Sequence, residues 1–309
     1  MRDGSGRWPG GSFPSFGERN VLKVPLTSVH SVTTPLRYPG GKSVLSRHVS
    51  DLIDMSGCRD TYVEPYAGGA GIALRLLAEG RVSGIVINDL DANVHAFWDS
   101  VVNDHARFMR LYDRVEPTIE QWHHWRAVLR DPDNELDRGF AFFFLNRTCR
   151  SGVINGGVIG GLGQQGRYRV DARYNKERLR GKLDFLGRSA DHIEIRGDDG
   201  AEVAHDYAGR SGTFVYADPP YVAKGSSLYL NAFDEERHRV LSDVLIRGCG
   251  GAWMLTYDDA PLVGELYGGM PGGLFALRYS AANHRIAREA MIFSRELADA
   301  LPSSIWERE

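Results

Sequence analysis

Asp218-Pro219-Pro220-Tyr221 brings together a carboxylate, two prolines and a phenol at the end of an apolar run, Thr213 to Ala217, that reads as a buried strand. Consecutive prolines fix their own φ angles and have no N–H to donate. They therefore stop the strand and present the Asp218 carboxylate and the Pro219 carbonyl as rigid, outward-facing acceptors. Two adjacent acceptors suit an amino group. The exocyclic amine of a nucleobase is a poor nucleophile because its lone pair is delocalised into the ring, and gripping its hydrogens from two sides favours a pyramidal, reactive nitrogen. Tyr221 offers a face on which an extruded base could stack. Alone, these four residues would be ordinary turn chemistry; their companions change the reading.

Upstream, Tyr62-Val63-Glu64-Pro65-Tyr66-Ala67-Gly68-Gly69-Ala70-Gly71 reads as a short strand and a glycine-rich turn, followed by an apolar helix from Ile72 to Ala78 that Gly80 stops. Glycines let backbone approach a cofactor. The next apolar run, Gly84 to Asn88, ends at Asp89, placed to accept from ribose hydroxyls. A third segment, Pro35-Leu36-Arg37-Tyr38-Pro39-Gly40-Gly41-Lys42-Ser43, ends like a phosphate-binding loop but fails that pattern: Leu36 stands where its first glycine belongs, and no apolar strand leads in. Lys42 is thereby left to meet a carboxylate, or an acceptor on a cofactor or base.

Taken together and in this order, these segments resemble the Dam-like, D12 class of DNA adenine-N6 methyltransferases, over roughly residues 33 to 295. Leu36 to Lys42 is similar to the family's aromatic-x-Gly-Gly-Lys opening, and Glu64 to Gly71 to its S-adenosylmethionine loop. Asn88-Asp89 matches its ribose-binding strand end, Leu145-Asn146-Arg147-Thr148-Cys149 the start of its target-recognition segment, and Asp218 to Tyr221 its catalytic motif. The resemblance implies that Asp218, Pro219, Pro220, Tyr221 and Lys42 form the catalytic group. Tyr38, Lys42, Glu64, Pro65, Tyr66, Ala67, Gly68, Gly69, Asp89 and Asp218 would surround the cofactor. Asn146, Arg147, Arg150, Ser151, Arg167, Asn283 and Arg285 would contact double-stranded DNA. One departure matters. The family follows its Leu-Asn-Arg with an aromatic, an asparagine and a glycine, whereas this chain has Arg150-Ser151-Gly152, so the target sequence does not carry over. The Gly156 to Gly163 run that follows reads either as a mobile loop that orders on substrate or as a surface linker.

The elements that must position these residues form an α/β fold: a Rossmann-like parallel sheet with strands near Tyr62, Ile85, His192, Phe214 and Trp253, carrying ligands at the strands' carboxyl ends. Residues 31–98 and 190–309 read as the catalytic domain and 99–189 as a mostly helical target-recognition insert, with Trp122 and Trp125 in its core. Residues 274–279 and 290–293 read as a hairpin. Residues 1–30, rich in Gly, Ser and Pro, read as a disordered tail without a secretory signal.

Composition supplies the limits. The 309 residues are 42% hydrophobic with no run of 18 apolar residues, which excludes a membrane-spanning helix. The net charge of −3 argues weakly against a nucleic-acid partner until its distribution is read: between Arg138 and Arg188 eleven basic residues face three acidic ones, a local charge of +8. Cys58, Cys149 and Cys249 show neither metal nor disulfide spacing, pointing to a reducing cytoplasm, bacterial or phage-encoded, and none follows a proline as a cytosine-C5 nucleophile would. No metal is called for. Cytosine-N4 methylation, an RNA substrate and a catalytically silent DNA-binding copy remain as alternatives. The oligomeric state stays open, a monomer on DNA being compatible.

Overall fold

The computed structural model describes residues 13–26, 34–38, 41–222, 233–247, 251–278, 286–302 and 305–307. Among them a nine-stranded sheet runs in the order β4 (Ile193–Arg196), β3 (Gly84–Asn88), β2 (Thr61–Glu64), β5 (Thr213–Ala217), β6 (Ala252–Asp258), β8 (Ile286–Phe293), β7 (Gly272–Arg278), β1 (Val21–Leu22) and β9 (Trp306–Glu307). The first five strands are mutually parallel, and β8 is antiparallel to both β6 and β7. Chain order leaves β2 toward β3 and β4 on one side and resumes at β5 and β6 on the other. The crevice for a ligand therefore opens at the carboxyl ends of β2 and β5.

Side chains of these strands alternate between two cores, as a doubly covered sheet requires. Tyr62, Ile85, Ile87, Phe214 and Tyr216 face one core, and Val63, Val86, Val215 and Ala217 the other. Over the first face pack α1 (Ser46–Ser56), α2 (Gly71–Ala78), α3 (Ala92–Asn103), α4 (His105–Arg114), α5 (Ile119–Arg130), α6 (Glu135–Thr148) and α7 (Lys176–Arg188). Over the second pack α8 (Gly200–Ala208), α9 (Glu235–Arg247) and α10 (Pro261–Tyr267).

Three features depart from the sequence reading. Residues 13–26 are not a disordered tail: Phe16 and Leu22 are buried, and Val21 pairs with Leu274 in β7 and with Glu307 in β9. Two apolar side chains in a Gly-Ser-Pro background suffice, because the sheet edge offers unpaired backbone groups and an apolar slot. The boundary at residue 99 falls inside α3, and the insert has no separate core. Phe97 stacks on Phe143 of α6 at 5.6 Å, and the same apolar cluster continues through Trp122, Trp125 and Tyr174 back to the sheet. The Gly156 to Gly163 run folds back on α6 rather than hanging free: Ile159 N–H donates to Thr148 O at 2.9 Å, Val158 is buried, and Gln164 Nε2 donates to Ile159 O at 2.8 Å.

Helices α3 and α6 approach closely at Gly139, where an added Cβ would lie 2.3 Å from the Ala96 carbonyl oxygen of α3. Replacing a helical glycine by alanine ordinarily gains about 1 kcal/mol in propensity, but overpacking against backbone costs roughly 1–3 kcal/mol. Gly139→Ala is therefore expected to lower the thermal unfolding midpoint. A midpoint at or above the wild-type value would mean that α3 and α6 have slack between them.

Candidate active site

The loops after β2, β3, β4 and β5 converge on one cavity of about 660 Å³, a volume suited to a small-molecule ligand. Its walls include Tyr38 and Lys42 from the segment before α1, Glu64, Tyr66 and Ala67 to Gly71 from the β2 turn, Asp89 to Asp91, Asp199 and Asp218.

The turn after β2 is built around Gly68, whose φ of +48° suits glycine. A Cβ there would lie 2.6 Å from the Tyr38 ring. Both backbone groups of Gly68 are held: its N–H donates to Asp89 Oδ2 at 2.9 Å, and its carbonyl accepts from Trp98 Nε1 at 3.0 Å. Asp89 Oδ1 accepts from Asp91 N–H at 3.0 Å, which orients the carboxyl at the cavity wall while leaving lone pairs for a ligand hydroxyl. Burial raises the Asp89 carboxyl to about 6 despite these two donors. Asn88, fully buried behind it, donates to the carbonyls of Pro65 (2.8 Å) and Asp198 (3.1 Å), locking the ends of β2, β3 and β4 in register.

Glu64 is buried at the cavity floor, its Oε1 accepting from Tyr62 OH at 3.0 Å and from Ala73 N–H at 3.1 Å. Desolvation outweighs those donors and lifts its carboxyl to about 8, with the nearby Asp218 charge adding to the rise. The floor thus holds a proton at neutral pH that an incoming cation would displace.

Asp218 leaves the end of β5 into a network. Lys42 Nζ lies 3.1 Å from each Asp218 oxygen, 2.5 Å from Tyr221 OH and 3.6 Å from Glu289 on β8. Lys42 and Glu289 are buried, and the ammonium also sits 4.8 Å from the centre of the Tyr221 ring. Thr256 on β6 donates to Asp218 Oδ1 at 2.7 Å and is 2.9 Å from Tyr216 OH. Since the Thr256 proton is committed to Asp218, Tyr216 donates to Thr256. Oδ1 is thus doubly engaged, whereas Oδ2 meets only Lys42 among these groups and keeps a lone pair for an outside donor.

The remaining residues singled out by sequence scatter. Pro65 contributes its carbonyl to the Asn88 clamp, and Pro219 is buried; neither is on the cavity wall. Asn146, expected at a DNA contact, is turned into the protein. It is buried, accepts Arg37 N–H at 2.8 Å and donates to the carbonyls of Arg37 and Gly152, so it fixes the segment that carries Tyr38. Arg147 lines the cavity, with Nε donating to Arg173 O at 2.7 Å. Arg150, Ser151 and Arg167 are exposed, Arg150 Nε reaching Gly156 O at 2.6 Å. Asn283 and Arg285 lie outside the described residues. Sequence reasoning missed Thr256, Glu289 and Tyr216 around Asp218, and Asp199, Phe233 and Arg237 on the cavity wall. Only the position of Thr256 on an apolar strand beside β5 hinted at any of them.

Residues 38–279 match the family model described as D12 class N6 adenine-specific DNA methyltransferase. Type II methyltransferase M.CviBI of Paramecium bursaria Chlorella virus NC1A is 25% identical over 244 residues, 76% of this chain and 86% of its own. Type II methyltransferase M.MjaIII of Methanocaldococcus jannaschii is 24% identical over 202 residues, 60% of this chain and 68% of its own. Among solved structures, the rRNA methyltransferase aviRa from Streptomyces viridochromogenes overlays with a TM-score of 0.35 at 14% identity, covering 90% of this chain and 93% of its own.

The Glu64 carboxyl makes stability depend on pH. Between its ordinary value of 4.5 and its folded value of about 8, the unfolded chain has released a proton that the folded one keeps, so folding weakens as pH rises through that window. Glu64→Gln retains an acceptor for Tyr62 and Ala73 and removes the titration. Denaturant titrations should show the variant equal to wild type below about pH 4.5 and increasingly more stable toward pH 8. Parallel profiles for the two proteins would show that Glu64 ionises normally.

Proposed function

The chain belongs to the D12 class of N6 adenine-specific DNA methyltransferases, and on that footing we propose how its cavity divides the work. S-adenosylmethionine is the donor that fits, and when bound it supplies an electrophilic methyl group on a sulfonium. The fit rests on this chain's own groups. Asp89, Asp91 and Asp199 place carboxylates on the cavity wall, suited to a ligand carrying cationic centres and ribose hydroxyls, and the Gly68 turn offers backbone with no Cβ in the way. Asp89 holds the ribose, and Tyr38, Tyr66 and the Gly68-Gly69 backbone enclose the remainder.

The single observation that carries the reaction is Asp218, fixed by Lys42 and Thr256 at the end of β5 and open to the same cavity. Asp218 Oδ2, which keeps a lone pair beside its Lys42 contact, accepts a hydrogen of an adenine N6 amine from a base turned out of duplex DNA, with Tyr221 beside the ring. This grip localises the nitrogen lone pair and stabilises the positive charge that N6 acquires. Lys42 neutralises Asp218 until substrate arrives, and no residue of the chain forms a covalent intermediate. Thr256 is a positioning residue. It touches neither base nor cofactor, but its hydrogen bond decides which Asp218 oxygen remains available. We take a monomer on double-stranded DNA as the working form. No helix among the described residues is long and apolar enough to cross a membrane, and the unpaired Cys58 and Cys149 suit a reducing cytoplasm.

Incubation with S-adenosylmethionine and unmethylated genomic DNA, followed by nucleoside mass spectrometry, should yield N6-methyladenine and no N4-methylcytosine. Asp218→Ala should lower the yield by about 10²-fold or more while leaving cofactor affinity nearly unchanged; wild-type turnover in that variant would remove Asp218 from the reaction. Thr256→Val should lower kcat about tenfold, the scale of one hydrogen bond to a charged group, at nearly constant KM for DNA, and Thr256→Ser should recover most of it. A Thr256→Val enzyme with unchanged kcat would show that the Tyr216–Thr256 relay positions nothing.

A further inference from the structure

Besides its carboxylates, Lys42 and Arg237, the cavity wall carries a cluster of four cations: Arg37 from the segment preceding Lys42, Arg147 from the last turn of α6, Arg173 from the connector before α7, and Lys182 from α7 itself. Each contact the structure shows for these side chains is to a neutral backbone carbonyl. Arg37 Nη1 donates to Cys149 O at 3.0 Å, Lys182 Nζ to Thr34 O at 2.9 Å, and Arg147 to Arg173 O and Pro35 O. Arg37, Arg147 and Lys182 are half-buried, and Arg173 completes the group from the surface. Among the described residues, none of the four forms an ion pair with a carboxylate.

Such a cluster is costly on its own. Burial, followed by repulsion from neighbouring cations, pushes Lys182 down to about 8 and Arg147 to about 10, and Arg37 is lowered by burial and then by Arg173. Carbonyl partners orient these groups without cancelling their charge. An arrangement that keeps cations together, partly dry and without a carboxylate is relieved by an anion from outside.

We infer that Arg37, Arg147, Arg173 and Lys182 form a recessed seat for one phosphodiester of the substrate DNA, distinct from the exposed basic face of the insert. The inference rests on the methyltransferase reading above. The alternative occupant, the carboxylate of S-adenosylmethionine, offers one negative charge on a ligand that also carries an ammonium and a sulfonium. A net-cationic ligand does not offset four cations, whereas a strand of phosphodiesters does. The seat shares its cavity with Asp218, so a phosphate anchored there would hold the strand beside the point where the target base must enter.

Arg173→Gln and Lys182→Gln test this directly, since Arg173 is exposed and Gln at 182 retains a donor for Thr34 O. Binding of sonicated unmethylated duplex DNA would be followed by anisotropy across a salt series, and S-adenosylmethionine binding by calorimetry. Arg81→Gln serves as the control: it is exposed, paired with Asp54, and precedes β3 at the amino edge of the sheet, away from the cavity. Each seat variant should reduce the slope of log affinity against log salt by about 0.9 and weaken DNA binding about tenfold. The control and the cofactor affinity should stay within about twofold of wild type on the same scale. Wild-type salt slopes in both seat variants, with wild-type methylation intact, would overturn the seat and leave the enzyme reading standing. Lost cofactor affinity at an unchanged slope would overturn it in favour of the cofactor carboxylate. A wild-type protein that bound no DNA would end both readings together.

Discussion

The contact on which the site depends is the ion pair of Lys42 with Asp218, drawn from positions 176 residues apart. Lys42 is almost fully buried, and a buried ammonium is tolerated only when carboxylates and hydrogen-bond acceptors surround it. Asp218 and Tyr221 supply them from beyond the end of β5, and Glu289 from the middle of β8. One charge therefore ties the segment ahead of α1 to both the parallel half of the sheet and its antiparallel hairpin. The same segment carries Tyr38, which closes over Gly68, so the Gly68 turn and the Asp218 carboxylate share a single anchor.

A second consequence of that geometry is electrostatic division. Carboxylates gather where four parallel strands end, while Arg147, Arg173 and Lys182 arrive from the insert. The acidic groups do not repel one another into disorder, because Glu64 keeps its proton near neutrality, Asp89 accepts two backbone donors, and Asp218 is neutralised by Lys42. Preorganised dipoles and charges of this kind are effective because they need not reorient when charge develops on a substrate.

Much of this was legible in the residues because backbone requirements left few alternatives. Two prolines after an apolar run, a glycine turn opening a helix, and an acid at the next strand end each prescribe local geometry, and the structure brings Asp218, Gly68 and Asp89 to one cavity. What was not legible depends on side chains meeting across strands or between distant segments. Thr256 is an ordinary strand residue until β6 is paired with β5, and Glu289 an ordinary acid until β8 is placed beside β6. Asn146 looked like a contact residue within a recognition motif, yet its amide is spent on the Arg37 and Gly152 backbone. The N-terminal segment misled for a compositional reason: Phe16 and Leu22 are too few to dominate an average, but each fills a specific slot.

The insert has no core of its own. Because α3 runs across its boundary and Phe97, Phe143 and Tyr174 belong to the apolar cluster that also covers the sheet, the helices of the insert are part of the fold that holds the Gly68 turn. On the proposed reading, a protein built this way cannot exchange its recognition region as a cassette, and new target preferences are open to point changes on the exposed surface between Arg150 and Arg173.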